Sequence, residues 1–131
     1  MNTKLDKILA EISAGELVDK ITILEIKKSK ISNENKLKEI DKELHSLNNT
    51  MNKFILEKSK ILTFKDQLKQ INLKLWDIED GKRTAEKNND FGKNFIELAR
   101  NVYKFNDERA KIKLKINEIL GSNIKEVKSH F

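Results

Sequence analysis

Residues 13–31 read SAGELVDKITILEIKKSKI, and this stretch is the clearest indication of an α-helical fold. Ser13 precedes Glu16 by three residues, the spacing of a capping box, in which the serine side chain accepts from the Glu16 amide. The apolar residues that follow recur every three or four positions, as on one face of a helix. Further apolar residues widen this face, so we expect a helix over residues 14–31 at the centre of the protein, buried by other helices or a second subunit.

The composition of the 131-residue chain also favours an all-α protein. Proline is absent and there are four glycines, whereas a β-rich domain would need many turn residues. The length is that of a single domain, here residues 1–131. Because cysteine is absent, disulfides, thiolate metal sites and cysteine nucleophiles are excluded.

Two more helical segments follow the first. An apolar seam with alternating spacings of three and four, typical of a coiled coil, consists of Leu37, Ile40, Leu44, Leu47, Met51 and Phe54. It predicts a helix over 36–87, and the sequence leaves open whether a break near 48–50 or 63–64 divides it. Lys87–Asp90 is a predicted hinge, with Asp90 as N-cap of a last helix over 91–120. Gly121 is expected to end that helix in a left-handed conformation, before an extended tail over 121–131.

These segments predict an antiparallel helical bundle, or a long helical hairpin, with a coiled-coil-like seam. A thin monomer cannot cover every apolar stripe, so we expect a homo-oligomer. No apolar stretch is long enough to span a membrane, and the N-terminus has no secretory apolar core. The expected location is the cytoplasm, with no membrane partner.

No motif indicates catalysis. The two histidines, His45 and His130, belong to neither H-x-x-x-H nor E-x-x-H, and no complete phosphate-binding loop occurs. Acidic pairs three residues apart, Glu16/Asp19 and Asp77/Asp80, match the magnesium-binding pattern of all-helical pyrophosphohydrolases, but this spacing is common by chance in charged helices. The sequence therefore predicts no catalytic residues, no metal and no cofactor.

The net charge of +6 does not by itself favour nucleic acid as a partner. Of 27 basic residues only Arg83, Arg100 and Arg109 are arginine, the residue that base readout prefers. No block of five like charges occurs. Non-specific nucleic-acid binding is therefore a third hypothesis.

Two groups of polar and aromatic residues recur at helical spacing in the later part of the chain. They are Trp76, Glu79, Asp80 and Arg83, then Arg100, Tyr103, Asp107 and Arg109. If the two faces meet, their arginines could clamp a small anion through bidentate contacts. The alternative is a buried salt-bridge network that fixes helix register, with Trp76 as a core or interface anchor.

The chain resembles a family of small bacterial and phage proteins that carry a domain of unknown function. The resemblance rests on residues 13–31 and on LWDIEDGKRTAE (75–86), FIELARNVYKFNDERAKIK (95–113) and INEILGSNIKEVKS (116–129). It implies no activity, and a phage origin would place the protein in the host cytoplasm. The polar residues that it implies are Glu16, Asp19, Lys20, Trp76, Glu79, Asp80, Arg83, Arg100, Tyr103, Asn106, Asp107 and Arg109. A looser resemblance of residues 16–31 to the first helix of small helical chorismate mutases lacks the arginines of that pocket.

The leading functional hypothesis is a non-enzymatic helical oligomer that serves as an interaction or scaffold module, with a possible protein partner. The second is a binding module or small enzyme for an anionic metabolite, such as a nucleotide, a nucleotide sugar or a dicarboxylate. It would use the two polar groups together with Glu16, Asp19 and Lys20.

Overall fold

The computed structural model describes residues 4–128, which form four α-helices and no strand. The helices are α1 (Ala14–Lys30), α2 (Glu34–Phe54), α3 (Leu62–Lys87) and α4 (Lys93–Leu120), with a 3-10 turn at Lys58–Ile61 before α3. The predicted all-α fold is confirmed. No helix of the described part of the chain is long and apolar enough to cross a membrane.

The start of α1 is anchored both locally and by the end of α4. Ser13 Oγ accepts a hydrogen bond from the Glu16 amide at 3.1 Å, as the sequence predicts. The Ala14 amide donates to Ser122 Oγ at 3.0 Å, and the Gly15 amide donates to Asn117 Oδ1 at 2.6 Å. The first amides of a helix have no partner inside the helix, so these bonds supply the missing acceptors.

The segment 36–87 contains two helices, and the break lies at residues 55–61. The candidate breaks near 48–50 and 63–64 instead lie inside α2 and α3. Ile55 and Ile61 are buried, at 6% and 1% exposure, and Lys58 Nζ donates to the Ile55 carbonyl at 3.2 Å. The chain leaves the helical path at residues 55–61, where both isoleucines are buried in the core. The free energy of this burial outweighs the turn preference of the polar residues at 48–50.

Helix α1 lies at the centre of the fold. It packs against α2, α3 and α4, whereas α2 packs along α1 alone and α3 pairs with α4. The core consists of Leu17, Val18, Ile21, Met51, Ile55, Ile61, Leu68 and Ile116. Every helix therefore contributes to one core, with α1 as the common partner.

The seam of α2 packs within the chain. Ile40 and Met51 are buried, and Leu44 and Leu47 pack against the core, while Phe54 at the helix end is 70% exposed. Most of this seam is thus covered by α1 and needs no second subunit. The most exposed large apolar residues lie in the non-helical N-terminal segment 4–12 and also at Leu56 and Val127.

Gly15 sets the distance between α1 and α4. A Cβ atom at this position would lie 2.4 Å from the Lys113 backbone oxygen, so only glycine permits this approach. Gly121 ends α4 with φ +63°, the left-handed conformation that the sequence predicts. The prediction of Asp90 as N-cap of α4 is wrong, because Gly92 holds that position and Asp90 Oδ1 accepts from the Gly92 amide at 3.2 Å.

Candidate functional site

A buried polar network centres on Asp19 of α1, whose side chain is fully buried. Arg109 of α4 binds this carboxylate through two atoms: Nε donates to Oδ1 at 2.9 Å and Nη2 donates to Oδ2 at 2.5 Å. A guanidinium and a carboxylate match in this bidentate geometry, which fixes orientation as well as distance. The pair joins α1 to α4.

Asn72 of α3 completes the network. Its Nδ2 donates to Asp19 Oδ1 at 2.9 Å and to Thr22 Oγ1 at 3.0 Å, and Thr22 Oγ1 donates to the Asp19 carbonyl at 2.7 Å. Both amide hydrogens are used, while Asn72 Oδ1 accepts from no donor within residues 4–128. The network thus joins three helices and leaves one acceptor available.

Arg109 keeps its charge throughout the physiological range. The hydrogen bond to Asp19 raises the pKa of the Arg109 guanidinium, and this outweighs the lowering by burial. Arg109 Nη1 also donates to Asn106 Oδ1 at 3.3 Å. The cation therefore remains fixed and is neutralised by its own buried partner.

A groove of about 430 Å³ opens beside this network, between α1, α3 and α4. We call it the α1/α3/α4 groove. Its apolar lining consists of Ile23, Ile26, Leu75 and Trp76, and its polar lining of Asn72, Glu79, Asp80, Arg83 and Arg109. Asn72 and Arg109 lie deeper, since they are buried and half-buried, while the other three polar residues are exposed. The groove combines an apolar slot with a polar rim.

The charged residues on the rim differ in how they are paired. Glu79 binds Lys82 at 3.3 Å. Arg83 and the Asp80 carboxylate have neither an ion pair nor a hydrogen bond to any residue in the part of the chain that is described. Since Arg109 is paired with Asp19, Arg83 is the one cation of the groove lining that makes no ion pair in the described part of the chain, and two carboxylates lie on the same rim.

A second, wider groove lies between α4 and residues 125–128, and its charges are mostly paired. Lys113 binds Glu16 at 2.5 Å and Glu126 at 3.1 Å, and Lys128 binds Asp107 at 2.7 Å. Burial lowers the pKa of Lys113, but the hydrogen bonds to Glu16 and Glu126 outweigh this and leave it raised. These ion pairs hold the C-terminal segment against α4.

The structure divides the expected site residues between the two grooves. Trp76, Glu79, Asp80, Arg83 and Arg109 line the α1/α3/α4 groove, and Glu16, Tyr103, Asp107 and Arg109 line the second. Asp19 lies beneath both as the partner of Arg109. Arg100 and Lys20 are exposed and line neither groove, and Lys20 pairs with Glu16 at 3.7 Å.

Sequence reasoning missed Asn72 and Thr22. The signal was present for Asn72, which stands four residues after Leu68 on a face that is otherwise apolar. A polar residue at such a position needs a buried partner. In residues 4–128 the acidic pairs belong to no group of three histidine, aspartate or glutamate side chains that could hold a metal ion.

Fold and site together define an all-helical protein with a buried Asp–Arg pair beneath an open groove. A sequence profile described as "Family of unknown function (DUF6165)" matches residues 8–130, so the chain belongs to this family. No curated protein matches the chain. No solved structure matches it either.

Proposed function

We propose that this protein is a binding module that holds a small anionic metabolite in the α1/α3/α4 groove. The observation that carries the proposal is the placement of Arg83 and Trp76 on one groove wall, with Arg83 free of any internal partner in the described chain. A guanidinium without an ion pair, in the same groove as an aromatic ring, can recognise anions that also have an apolar face. The groove volume lies within the range of about 300–1,000 Å³ that is usual for small-molecule sites.

The buried network of Asp19, Asn72 and Arg109 supports this proposal, because a stable fold does not require buried charges at these positions. Replacing a buried ion pair by apolar residues is often neutral or stabilising, since both charges lose their hydration on burial. The Asp19–Arg109 pair does fix the register of α1 against α4. It also holds Asn72 and the Arg109 guanidinium in one orientation at the groove, and such preorganisation lowers the entropic cost of binding.

Binding without turnover fits the groove's lining. It contains no histidine, serine, cysteine or lysine that would act as a nucleophile or base near neutral pH. The two carboxylates, Glu79 and Asp80, are exposed to solvent. The lining therefore supplies recognition groups for a ligand, and its only groups of the general acid–base type are these two exposed carboxylates.

Thermal-shift screening followed by calorimetry tests the proposal. The panel contains nucleotides, nucleotide sugars and dicarboxylates, each with and without magnesium. A ligand that binds only the folded state raises Tm. At a ligand concentration of one hundred times its Kd, the free energy of unfolding increases by about 2.7 kcal/mol. We expect Arg83→Gln to abolish the rise, and Arg100→Gln, the same change at an exposed arginine outside both grooves, to retain it. Equal binding by the two variants, or no rise with any anion, contradicts the proposal.

A second candidate function is self-association through the N-terminal segment. Leu5, Ile8 and Leu9 are 81%, 83% and 87% exposed and lie three or four residues apart. Such spacing forms an apolar helix face when a partner surface covers it. An interaction module assembled through this segment would be a homo-oligomer.

Light scattering over a range of protein concentrations tests self-association. Changing Leu5, Ile8 and Leu9 together to serine should yield a monomer. Val127→Ser is the matched control, because Val127 is also an exposed apolar residue, at 86%, but lies outside the segment. A wild-type protein that is monomeric at all concentrations excludes this candidate.

A further inference from the structure

We infer that the ligand of the α1/α3/α4 groove is a nucleoside monophosphate, with its base between Trp76 and Ile23/Ile26 and its phosphate on Arg83. This inference rests on the proposed function and narrows it from anionic metabolites in general to one chemical class. Three features of the groove carry it: the apolar slot, one free acceptor on a largely buried asparagine, and a single cation without an ion pair.

The apolar slot favours a flat ring over an aliphatic anion. Trp76 is only partly buried and shares the groove lining with Ile23 and Ile26 of α1. A dicarboxylate has no apolar face to place against these side chains. A nucleobase has two, and bases stack on aromatic side chains with a substantial gain in affinity.

The free acceptor favours a ring that has an N–H group on its edge. Asn72 is 7% exposed, and its Nδ2 is committed to Asp19 and Thr22. Since both of those partners are acceptors, the side-chain amide is held with its nitrogen toward them. Asn72 Oδ1 is then the polar atom left for a donor from the ligand. Adenine supplies such a donor in its exocyclic amine, whereas a ring that covers Asn72 Oδ1 without donating to it would leave this acceptor unsatisfied.

The charge balance favours one phosphate. Arg109 is neutralised by Asp19, so Arg83 alone is free to bind an anion. Glu79 and Asp80 share the rim with Arg83 and repel every phosphate, so any phosphate beyond the one that Arg83 binds would meet this repulsion without a second free cation. The same carboxylates can accept hydrogen bonds from ribose hydroxyl groups.

Calorimetry and fluorescence with four probes test the inference: AMP, purine riboside 5′-monophosphate, adenosine and malate. Trp76 is the only tryptophan of the chain, so stacking of a base should quench the intrinsic fluorescence. We expect AMP to bind and quench. Purine riboside monophosphate lacks the amine and should bind about 5- to 100-fold more weakly.

Variants assign the remaining contacts. Trp76→Ala should weaken AMP about 5- to 150-fold, and Trp76→Phe, which retains a ring, should recover much of this loss. Arg83→Gln should remove the preference for AMP over adenosine, whereas Arg100→Gln should leave it unchanged. Circular dichroism checks that each variant is folded, and the four probes on the wild-type protein decide the inference even where a variant fails to fold.

The outcomes separate the inference from the proposed function. In one outcome, malate binds as tightly as AMP, in a way that depends on Arg83 and leaves the fluorescence unchanged. This outcome would overturn the inference of a nucleotide and would leave the proposed anion site unaffected. Adenosine that binds as tightly as AMP overturns the role of Arg83, and with it both proposals. If none of the four probes binds, the inference of a nucleoside monophosphate is overturned.

Discussion

Replacing Arg109 by methionine is the sharpest test of the buried network. Methionine retains most of the length of the side chain but removes the guanidinium. The fully buried Asp19 carboxylate then loses both hydrogen bonds from Arg109 and its cation, and it retains only the hydrogen bond from Asn72. Removing one partner of a buried ion pair costs about 3–5 kcal/mol, because the other charge stays buried without compensation.

This loss should be large but should not prevent folding. A domain of this size is stable by roughly 7–20 kcal/mol, and each kcal/mol corresponds to roughly 3–5 °C in Tm. We therefore expect Arg109→Met to lower Tm by roughly 10–20 °C. Denaturant unfolding followed by circular dichroism measures the free energy directly when the transition is two-state.

A double-mutant cycle with Asp19→Asn isolates the interaction between the two residues. In Asp19→Asn/Arg109→Met the uncompensated charge is gone, so the double variant should be more stable than Arg109→Met alone. We expect a coupling free energy of about 1–3 kcal/mol. Arg100→Met is the matched control on the same helix and should change stability by less than about 0.5 kcal/mol. A cost below about 1 kcal/mol for Arg109→Met, with additive effects in the cycle, would refute the reasoning.

Three further predictions concern other positions. Gly15→Ala should destabilise by about 1–3 kcal/mol in denaturant unfolding, because its Cβ would meet a backbone oxygen of α4 at 2.4 Å. Gly81→Ala is its control: the new Cβ meets only the Leu98 side chain at 3.2 Å, and alanine favours helix, so the change should be near neutral or stabilising. Gly121→Ala should cost about 1 kcal/mol, since φ is +63° there although the surrounding space is open. Lys113→Gln should cost about 1–3 kcal/mol near pH 7. Because the pKa of Lys113 is raised on folding, this difference from wild type should be constant below about pH 10 and shrink as pH rises further. A difference that persists unchanged at pH 11.5 would contradict the role of the Lys113 charge.

The start of α1 could be predicted from the sequence because it depends on neighbours in the chain. The bond from the Glu16 amide to Ser13 spans three residues. In a complete capping box the Glu16 carboxylate would also accept from the Ser13 amide. It binds Lys113 instead, 97 residues away, and no local pattern indicates this partner. The break at 55–61 likewise depends on burial of Ile55 and Ile61 in a core that several helices build.

The candidate site was predictable to the same extent. Trp76, Glu79, Asp80 and Arg83 share one helix face by spacing alone, and they do line one groove. Which residues of α4 face the groove depends on the rotation of α4 about its own axis relative to α3, and no local sequence pattern encodes this rotation. Arg109 turns toward Asp19, which lies 90 residues away, while Arg100 on the same helix faces solvent.

The single neighbour of α2 has a consequence for hydrogen exchange. α2 packs along α1 alone among the helices and contributes no residue to the α1/α3/α4 groove. Regions with fewer packing partners open at lower free energy than the global unfolding free energy. Amide protons of α2 should therefore exchange with deuterium faster than those of α1. A ligand in the groove should slow exchange in α1, α3 and α4. The helix with the lowest free energy of local opening, α2, would then be the one whose exchange rate the ligand changes least.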